Sequence, residues 1–178
     1  PPTSEEIPDL QGLVLDMQEL GQANPQQLPK LLQPLIIAYS HWIDTQNSRI
    51  DDPKEKLEEY KPQANEQIKR CQNALSRIEA GINLLSTNSH AREAFQFMNQ
   101  AMALQRIHSI YSEKRRRGEE SQLSDHNIPK NRSWYPFQLA FILLNLPSLT
   151  HLDHTDRINP HEAICDLLWF PTGGGKTE

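Results

Sequence analysis

The strongest constraint on this chain is an apolar repeat between residues 57 and 85. Its members recur after three or four residues, and eight steps cover 28 positions, or 3.5 residues per step. This is the spacing of the seam between helices that pack at a shallow angle. The pattern predicts a helix that is firm from Pro62 onward, packed in a helical hairpin or bundle, with a partner interface as the alternative. The repeat consists of Leu57, Tyr60, Ala64, Ile68, Cys71, Leu75, Ile78, Ile82 and Leu85.

Similar patterns on both sides of this repeat predict further helices. One amphipathic stretch follows Asp9, a second covers about 29–50, and a third covers about 90–117. The connections between the predicted helices are short, so neighbouring helices are expected to be antiparallel. Residues 1–117 are therefore interpreted as a helical module. Four aromatic side chains near its seams are expected to belong to the core: Tyr39, Trp42, Phe95 and Phe97.

A basic run closes the last predicted helix of this module. Residues 105–133 hold seven basic and four acidic side chains. The charge is explained either by the favourable interaction of cations with a helix C-terminus or by contact with nucleic acid phosphates. The polar stretch 118–133, with Gly118 and Pro129, is interpreted as a linker. The candidate nucleic-acid contacts are Lys114, Arg115, Arg116 and Arg117.

The end of the chain combines a short apolar segment with a glycine-rich loop. Residues 166–170 are bulky and apolar after Asp166, which suits a buried parallel strand, and Pro171 follows. Glycines allow the backbone amides to turn inward around phosphate groups. Lys176 is expected to reach the β- and γ-phosphates, and the Thr177 hydroxyl is expected to contact Mg²⁺. The predicted phosphate loop consists of Thr172, Gly173, Gly174, Gly175, Lys176 and Thr177, with Lys176 and Thr177 as catalytic residues.

An aromatic element precedes the loop at residues 134–138, which read Trp-Tyr-Pro-Phe-Gln. A glutamine amide offers both a donor and an acceptor, so Gln138 is a candidate for contact with the adenine edge. The alternative is that Phe137 and Gln138 begin a helix whose apolar residues pack below. Gln138 and Lys176 are 38 positions apart, and an insertion at about 147–160 is expected to account for this distance.

These elements resemble the first motifs of superfamily-two helicases. Phe170 stands where that family usually has a small residue. Residues 134–147 and 166–178 resemble more closely the helicase-like proteins of the DISARM bacterial anti-phage defence system, in which Phe170 is a family trait. The similarity extends over 90–133. The resemblance implies a mainly α chain with the start of an α/β RecA-like domain over 134–178.

The same resemblance implies ATP and Mg²⁺ as cofactors, DNA as substrate and a DrmB-type DISARM protein as partner. It implies an ATP-dependent helicase or translocase whose remaining motifs, including the second acidic Mg²⁺ motif and the arginine finger, lie beyond residue 178. Two alternatives remain open: a non-catalytic helical interaction module, and another phosphate-loop enzyme. The first would be favoured by the end of the gene near residue 178, and the second is disfavoured by Pro171 and Thr172 before the glycines and by Gln138 upstream.

Several classes of protein are disfavoured by composition. Cys71 and Cys165 are too few for a disulfide framework, which favours a reducing compartment, and a cytoplasmic location is expected. The longest apolar run, 139–144, is far shorter than the ~20 residues that a membrane-spanning helix needs. The net charge of −5 argues against a polycation such as a histone. The histidines between 151 and 161 match no zinc-ligand spacing, so a polar loop is expected there.

Overall fold

The computed structural model describes residues 10–161 and 163–167, and over these residues the protein is mainly α-helical. Its only strand-like feature in this part of the chain is an isolated antiparallel bridge between Asp16 and Ser133. The prediction of a mainly α chain with an N-terminal helical module is thus confirmed. The helices are α1 (Met17–Gln22), α2 (Leu28–Ile50), α3 (Lys61–Thr87), α4 (Ser89–Arg116), α5 (Pro136–Thr150) and α6 (Thr155–Ile158).

The first helix is much shorter than the periodic stretch that predicted it. It begins at Met17, because the Asp16 carboxylate accepts a hydrogen bond from the Gln18 amide at 2.8 Å and caps the helix. Before it, Gly12 has a φ of +84°, a conformation that ends regular helix for most residues. Leu13 and Leu15 are nevertheless buried in non-helical backbone. The prediction of an amphipathic helix directly after Asp9 was therefore wrong, although its apolar residues do reach the core.

The three long helices lie within two or three residues of their predicted bounds. A single residue, Asn88, separates α3 from α4, and its side chain accepts a hydrogen bond from the Ala91 amide at 3.0 Å. Its own amide donates to the Leu84 carbonyl at 2.8 Å, so the two helix ends are satisfied together. Helix α3 packs mainly along α2 and α5, whereas α4 packs mainly along α1.

The seam of α3 is confirmed over its second half and less so at its start. Ile68, Ile78, Ile82 and Leu85 are buried, whereas Tyr60 precedes the helix and is exposed. Most of the core is one cluster, and Ile68 belongs to a second, smaller one with Ile43 and Ile50. Members of the large cluster include Met17, Leu20, Leu28, Leu32, Leu85, Phe95, Leu139 and Leu143.

Two of the four aromatic residues expected in the core lie on the surface. Phe95 is 2% exposed, but Phe97, two positions later in α4, is 73% exposed. The buried residues of α4 recur every four positions from Ala91 to Ile107, and Phe97 lies off that stripe. Trp42 is 47% exposed and stacks on Tyr39 with a centroid separation of 5.9 Å. Burial raises the pKa of Tyr39, and a hydrogen bond with Cys71 adds to the effect.

Helix α5 completes the same core. Leu139 and Leu143 are fully buried in the large cluster. Where α3 crosses α5, a Cβ atom at Gly81 would lie only 2.0 Å from the Leu143 carbonyl oxygen. The two backbones therefore approach to a distance that only glycine permits at this position. Residues 134–150, the first part of the predicted ATPase segment, thus share a core with the helices of residues 17–116.

Segment 118–133 is attached to the helical core by polar contacts. Arg132 forms a bidentate pair with Asp16, with Nε and Nη2 each 2.9 Å from a carboxylate oxygen. Both side chains are largely buried, at 12% and 13% exposed. Just after it, the Trp134 indole donates to Asn99 Oδ1 at 2.8 Å, and Asn99 is fully buried in α4. These contacts connect positions that are far apart in sequence and fix where α5 begins.

Candidate functional site

Residues 163–167 are the last described residues before the predicted phosphate loop. Residues 172–177, with Lys176 and Thr177, and the apolar positions 168–170 lie outside the described residues. The described residues 163–167 form no regular element, so the strand predicted over 166–170 is not seen at its first two positions. The amides of Ala163 and Ile164 donate to the carbonyls of Asn159 and Asp156, at 3.0 and 2.9 Å. The segment 163–167 therefore folds back on α6.

A cluster of charged side chains attaches the segment 163–167 to α3. Arg77 Nη1 and Nη2 donate to the two carboxylate oxygens of Asp166 at 2.8 and 2.6 Å. Its Nε lies 3.0 Å from Asp156 Oδ2, although the angle is too poor for a hydrogen bond. The hydrogen bonds to Asp166 are the largest cause of the raised pKa of Arg77; burial opposes them, and both carboxylates add attraction. One guanidinium thus pairs with two carboxylates from the region before the predicted loop, and one negative charge is left over.

Gln138 lies in the first turn of α5, as the alternative interpretation of a helix start expects. Gln138 is only 7% exposed, and its Oε1 accepts a hydrogen bond from the Tyr135 amide at 2.9 Å. The rings of Tyr135 and Phe137 stack beside it, with centroids 6.1 Å apart and an interplanar angle of 11°. Gln138 therefore has a structural role at the N-terminus of α5, and its contact with adenine stays a prediction.

The basic run lies at the C-terminal end of α4, where cations also stabilise the helix. Lys114 pairs with Glu119 at 2.5 Å, and this contact lowers the pKa of Glu119, while Arg117 pairs with Glu113. Arg115 and Arg116 are exposed, and within residues 10–161 and 163–167 the structure gives their side chains no partner. Two of the four predicted phosphate contacts are thus engaged in surface ion pairs, which are weak and readily exchanged.

The described residues hold neither a candidate metal site nor a membrane-spanning helix. They contain no group of three or more His, Cys, Asp or Glu side chains that could hold a metal ion. None of the helices that the structure describes is both long enough and apolar enough to cross a membrane. Both described cysteines have free thiols, with Cys71 half-buried and Cys165 exposed.

Sequence reasoning missed the residues that organise this region. Arg77 lies between Leu75 and Ile78 of the apolar repeat, and its partner Asp166 is 89 positions away. A single arginine beside an apolar seam usually faces solvent, so neither spacing nor composition marked it. The acidic partners Asp156 and Asp166 were expected in a polar loop and at the start of a strand, so neither indicated a contact with Arg77.

The described residues define a mainly α-helical chain, and the predicted phosphate loop lies beyond the last of them. No protein-family model matches the chain. The chain is similar to DISARM protein DrmA of Bacillus paralicheniformis (strain ATCC 9945a / NCIMB 11709 / CD-2), with 49% identity over 113 residues. The matched region is 62% of this chain and only 9% of that relative. The resemblance to DISARM helicase-like proteins is thereby confirmed as similarity to DrmA.

Proposed function

We propose that this chain is the N-terminal part of an ATP-dependent DNA helicase or translocase that acts in DISARM anti-phage defence. The observation that carries the proposal is the sequence from Thr172 to Thr177, which supplies three glycines, a lysine and a threonine in phosphate-loop order. The similarity of the chain to DISARM protein DrmA supports the same assignment. Residues 134–178 would then open a RecA-like domain whose first helix, α5, packs directly against α3 of the helical module.

The donor set of residues 172–177 suits a nucleoside triphosphate with Mg²⁺. Backbone amides at Gly173, Gly174 and Gly175 would surround the phosphates, since glycine permits the backbone to curl with its N–H groups inward. The Lys176 ammonium would stabilise negative charge at the β- and γ-phosphates, and the Thr177 hydroxyl would ligate Mg²⁺. When bound, Mg·ATP supplies the free energy of hydrolysis, and Gln138 would contact the adenine edge.

DNA would be contacted partly by the end of α4. Arg115 and Arg116 are exposed, and the ion pairs of Lys114 and Arg117 are on the surface, where exchange for phosphate costs little. We assign DNA binding, association with a DrmB-type DISARM protein and a cytoplasmic location to the same proposal. DNA binding and the partner rest on the resemblance to DISARM helicase-like proteins, and the location rests on the low number of cysteines. The exposed basic run supports the DNA contact independently.

We expect Lys176→Ala in the full-length protein to abolish DNA-stimulated ATP hydrolysis. Loss of one positioned charge at a reacting group typically costs about 10²–10³ in kcat, so a decrease of at least about a hundredfold is expected. The measurement is phosphate release with and without DNA. Lys69→Ala, which removes an exposed lysine of α3, is the matched control and should retain activity. Undiminished hydrolysis by Lys176→Ala would remove the assignment of the loop.

A further inference from the structure

Residues 163–167 are attached to the rest of the molecule mainly by charge. Leu167 is 79% exposed and Ile164 38% exposed, so this segment buries little apolar surface. Its described hydrogen bonds to the helical core are the two that Arg77 donates to Asp166, in addition to backbone bonds to α6. The hydrophobic effect therefore contributes little to its position, which depends on the pair between Arg77 and Asp166 and on the backbone hydrogen bonds to α6.

The charged cluster is largely shielded from solvent, so the geometry of its contacts affects how strongly the side chains interact. The side chains of Arg77, Asp156 and Asp166 are 13%, 17% and 21% exposed. A bidentate arginine–carboxylate pair fixes both distance and orientation, which a single lysine contact does not. Without the guanidinium, two carboxylates would face each other in a partly desolvated place, and the segment 163–167 would move towards solvent.

Arg77 also lies at a junction within the fold. It comes four residues before Gly81, where the backbone of α3 lies close to that of α5. Asp156 belongs to α6, which is joined to α5 by the hydrogen bond from Arg157 to the Ser148 carbonyl at 3.1 Å. One side chain thus connects the rigid part of the helical core to both α6 and the segment that leads to residues 172–177.

We propose that Arg77 is a positioning residue for the nucleotide site, because its pairs with Asp156 and Asp166 hold the segment before the phosphate loop against α3. This inference rests on the proposed function. Asp166 is the last side chain before the loop that the structure shows bound to the helical core, six positions before Thr172. A loop held near its binding geometry loses less conformational entropy when the nucleotide binds, so its affinity is higher.

The test is nucleotide affinity and hydrolysis in the full-length protein, measured with Mg·ATP and a fluorescent ATP analogue. We expect Arg77→Met to raise both the Kd of the analogue and the KM for ATP about tenfold, with kcat changed less than about threefold, as for a lost preorganisation of binding. Arg77→Lys should fall between wild type and Arg77→Met, since it keeps the charge but loses the fork. Arg70→Met is the matched control, because Arg70 is an exposed residue of α3 whose ion pair among the described residues is with Glu66.

A second readout does not depend on activity. Hydrogen exchange of the amides of residues 163–167 should be faster in Arg77→Met than in Arg70→Met, while exchange in α3 and α5 stays as in wild type. Combining Arg77→Met with Asp166→Asn should add little to the effect of Arg77→Met, since both changes remove the same contact.

The outcomes separate this inference from the proposed function. If Lys176→Ala abolishes nucleotide binding but Arg77→Met binds with wild-type affinity, the positioning role is wrong and the proposed function stands. If exchange of residues 163–167 is unchanged in Arg77→Met, the positioning role is likewise wrong. If wild-type protein binds no nucleotide, the proposed function fails and this inference fails with it.

Discussion

Gly81→Ala is expected to destabilise the protein by about 3 kcal/mol or more, as overpacking at a rigid contact does. The added Cβ would lie 2.0 Å from the Leu143 carbonyl oxygen and 2.8 Å from its carbonyl carbon. Both atoms are backbone, so no side chain can rotate away, and α5 must shift as a whole. The free energy of unfolding is measured by urea denaturation of the 178-residue chain, followed by circular dichroism.

The direction in which Gly81→Ala changes the free energy of unfolding is the informative part of this experiment. In an exposed helix, glycine to alanine normally stabilises by about 1 kcal/mol, because alanine has the higher helix propensity. The matched control is Asn73→Ala, at an exposed position of α3, which should be neutral or slightly stabilising. A stabilising Gly81→Ala would show that α3 and α5 do not approach each other as described.

Phe95→Ala is expected to cost about 3–5 kcal/mol, the usual range for a buried phenylalanine. Phe95 is among the largest fully buried side chains and belongs to the cluster that joins α1, α2, α3, α4 and α5. Removing its ring leaves a cavity in the middle of the core, and neighbouring helices relax only partly around it. The same denaturation measurement applies.

The same helix provides the control for Phe95. Phe97 is 73% exposed, so Phe97→Ala should change the free energy of unfolding by less than about 0.5 kcal/mol. The two residues are chemically identical and two positions apart. Equal effects of the two substitutions would mean that α4 is rotated about its axis relative to the structure described above.

The long helices could be predicted from the sequence because their signals are local. The apolar repeat of α3 and the capping residue Asn88 act within a few positions of one another. Helix α1 was overestimated for the same reason: Leu10, Leu13 and Leu15 have the spacing of buried residues in more than one backbone conformation. The cap at Asp16 decides the matter, and its carboxylate is also fixed by Arg132, 116 positions away.

The packing of α5 could not be predicted in this way. Its integration into the helical core depends on Gly81, Leu143 and the pair formed by Trp134 and Asn99. None of these contacts has a signature within a window of sequence, because each partner is determined by the tertiary fold. The exposure of Phe97 likewise depended on which stripe of α4 faces α1, and periodicity leaves this open when several stripes are partly apolar.

For the candidate site, the proposed binding residues could be predicted from the sequence, whereas the proposed positioning residue could not. The roles proposed for Lys176 and Thr177 come from the sequence alone, because phosphate binding by a glycine-rich loop requires particular residues at fixed spacing. The residue that we propose positions the loop, Arg77, has no such pattern, since a bidentate pair with Asp166 requires only that two distant segments meet.

The most direct test of the account is hydrogen exchange of the full-length protein with and without a non-hydrolysable ATP analogue and Mg²⁺. We expect the backbone amides of residues 172–177 to exchange more slowly when the nucleotide is bound, because those amides donate to phosphate oxygens. This protection should be absent in Lys176→Ala. Nucleotide binding that leaves exchange at residues 172–177 unchanged, or no nucleotide binding at all, would contradict the assignment of this chain to an ATP-driven motor.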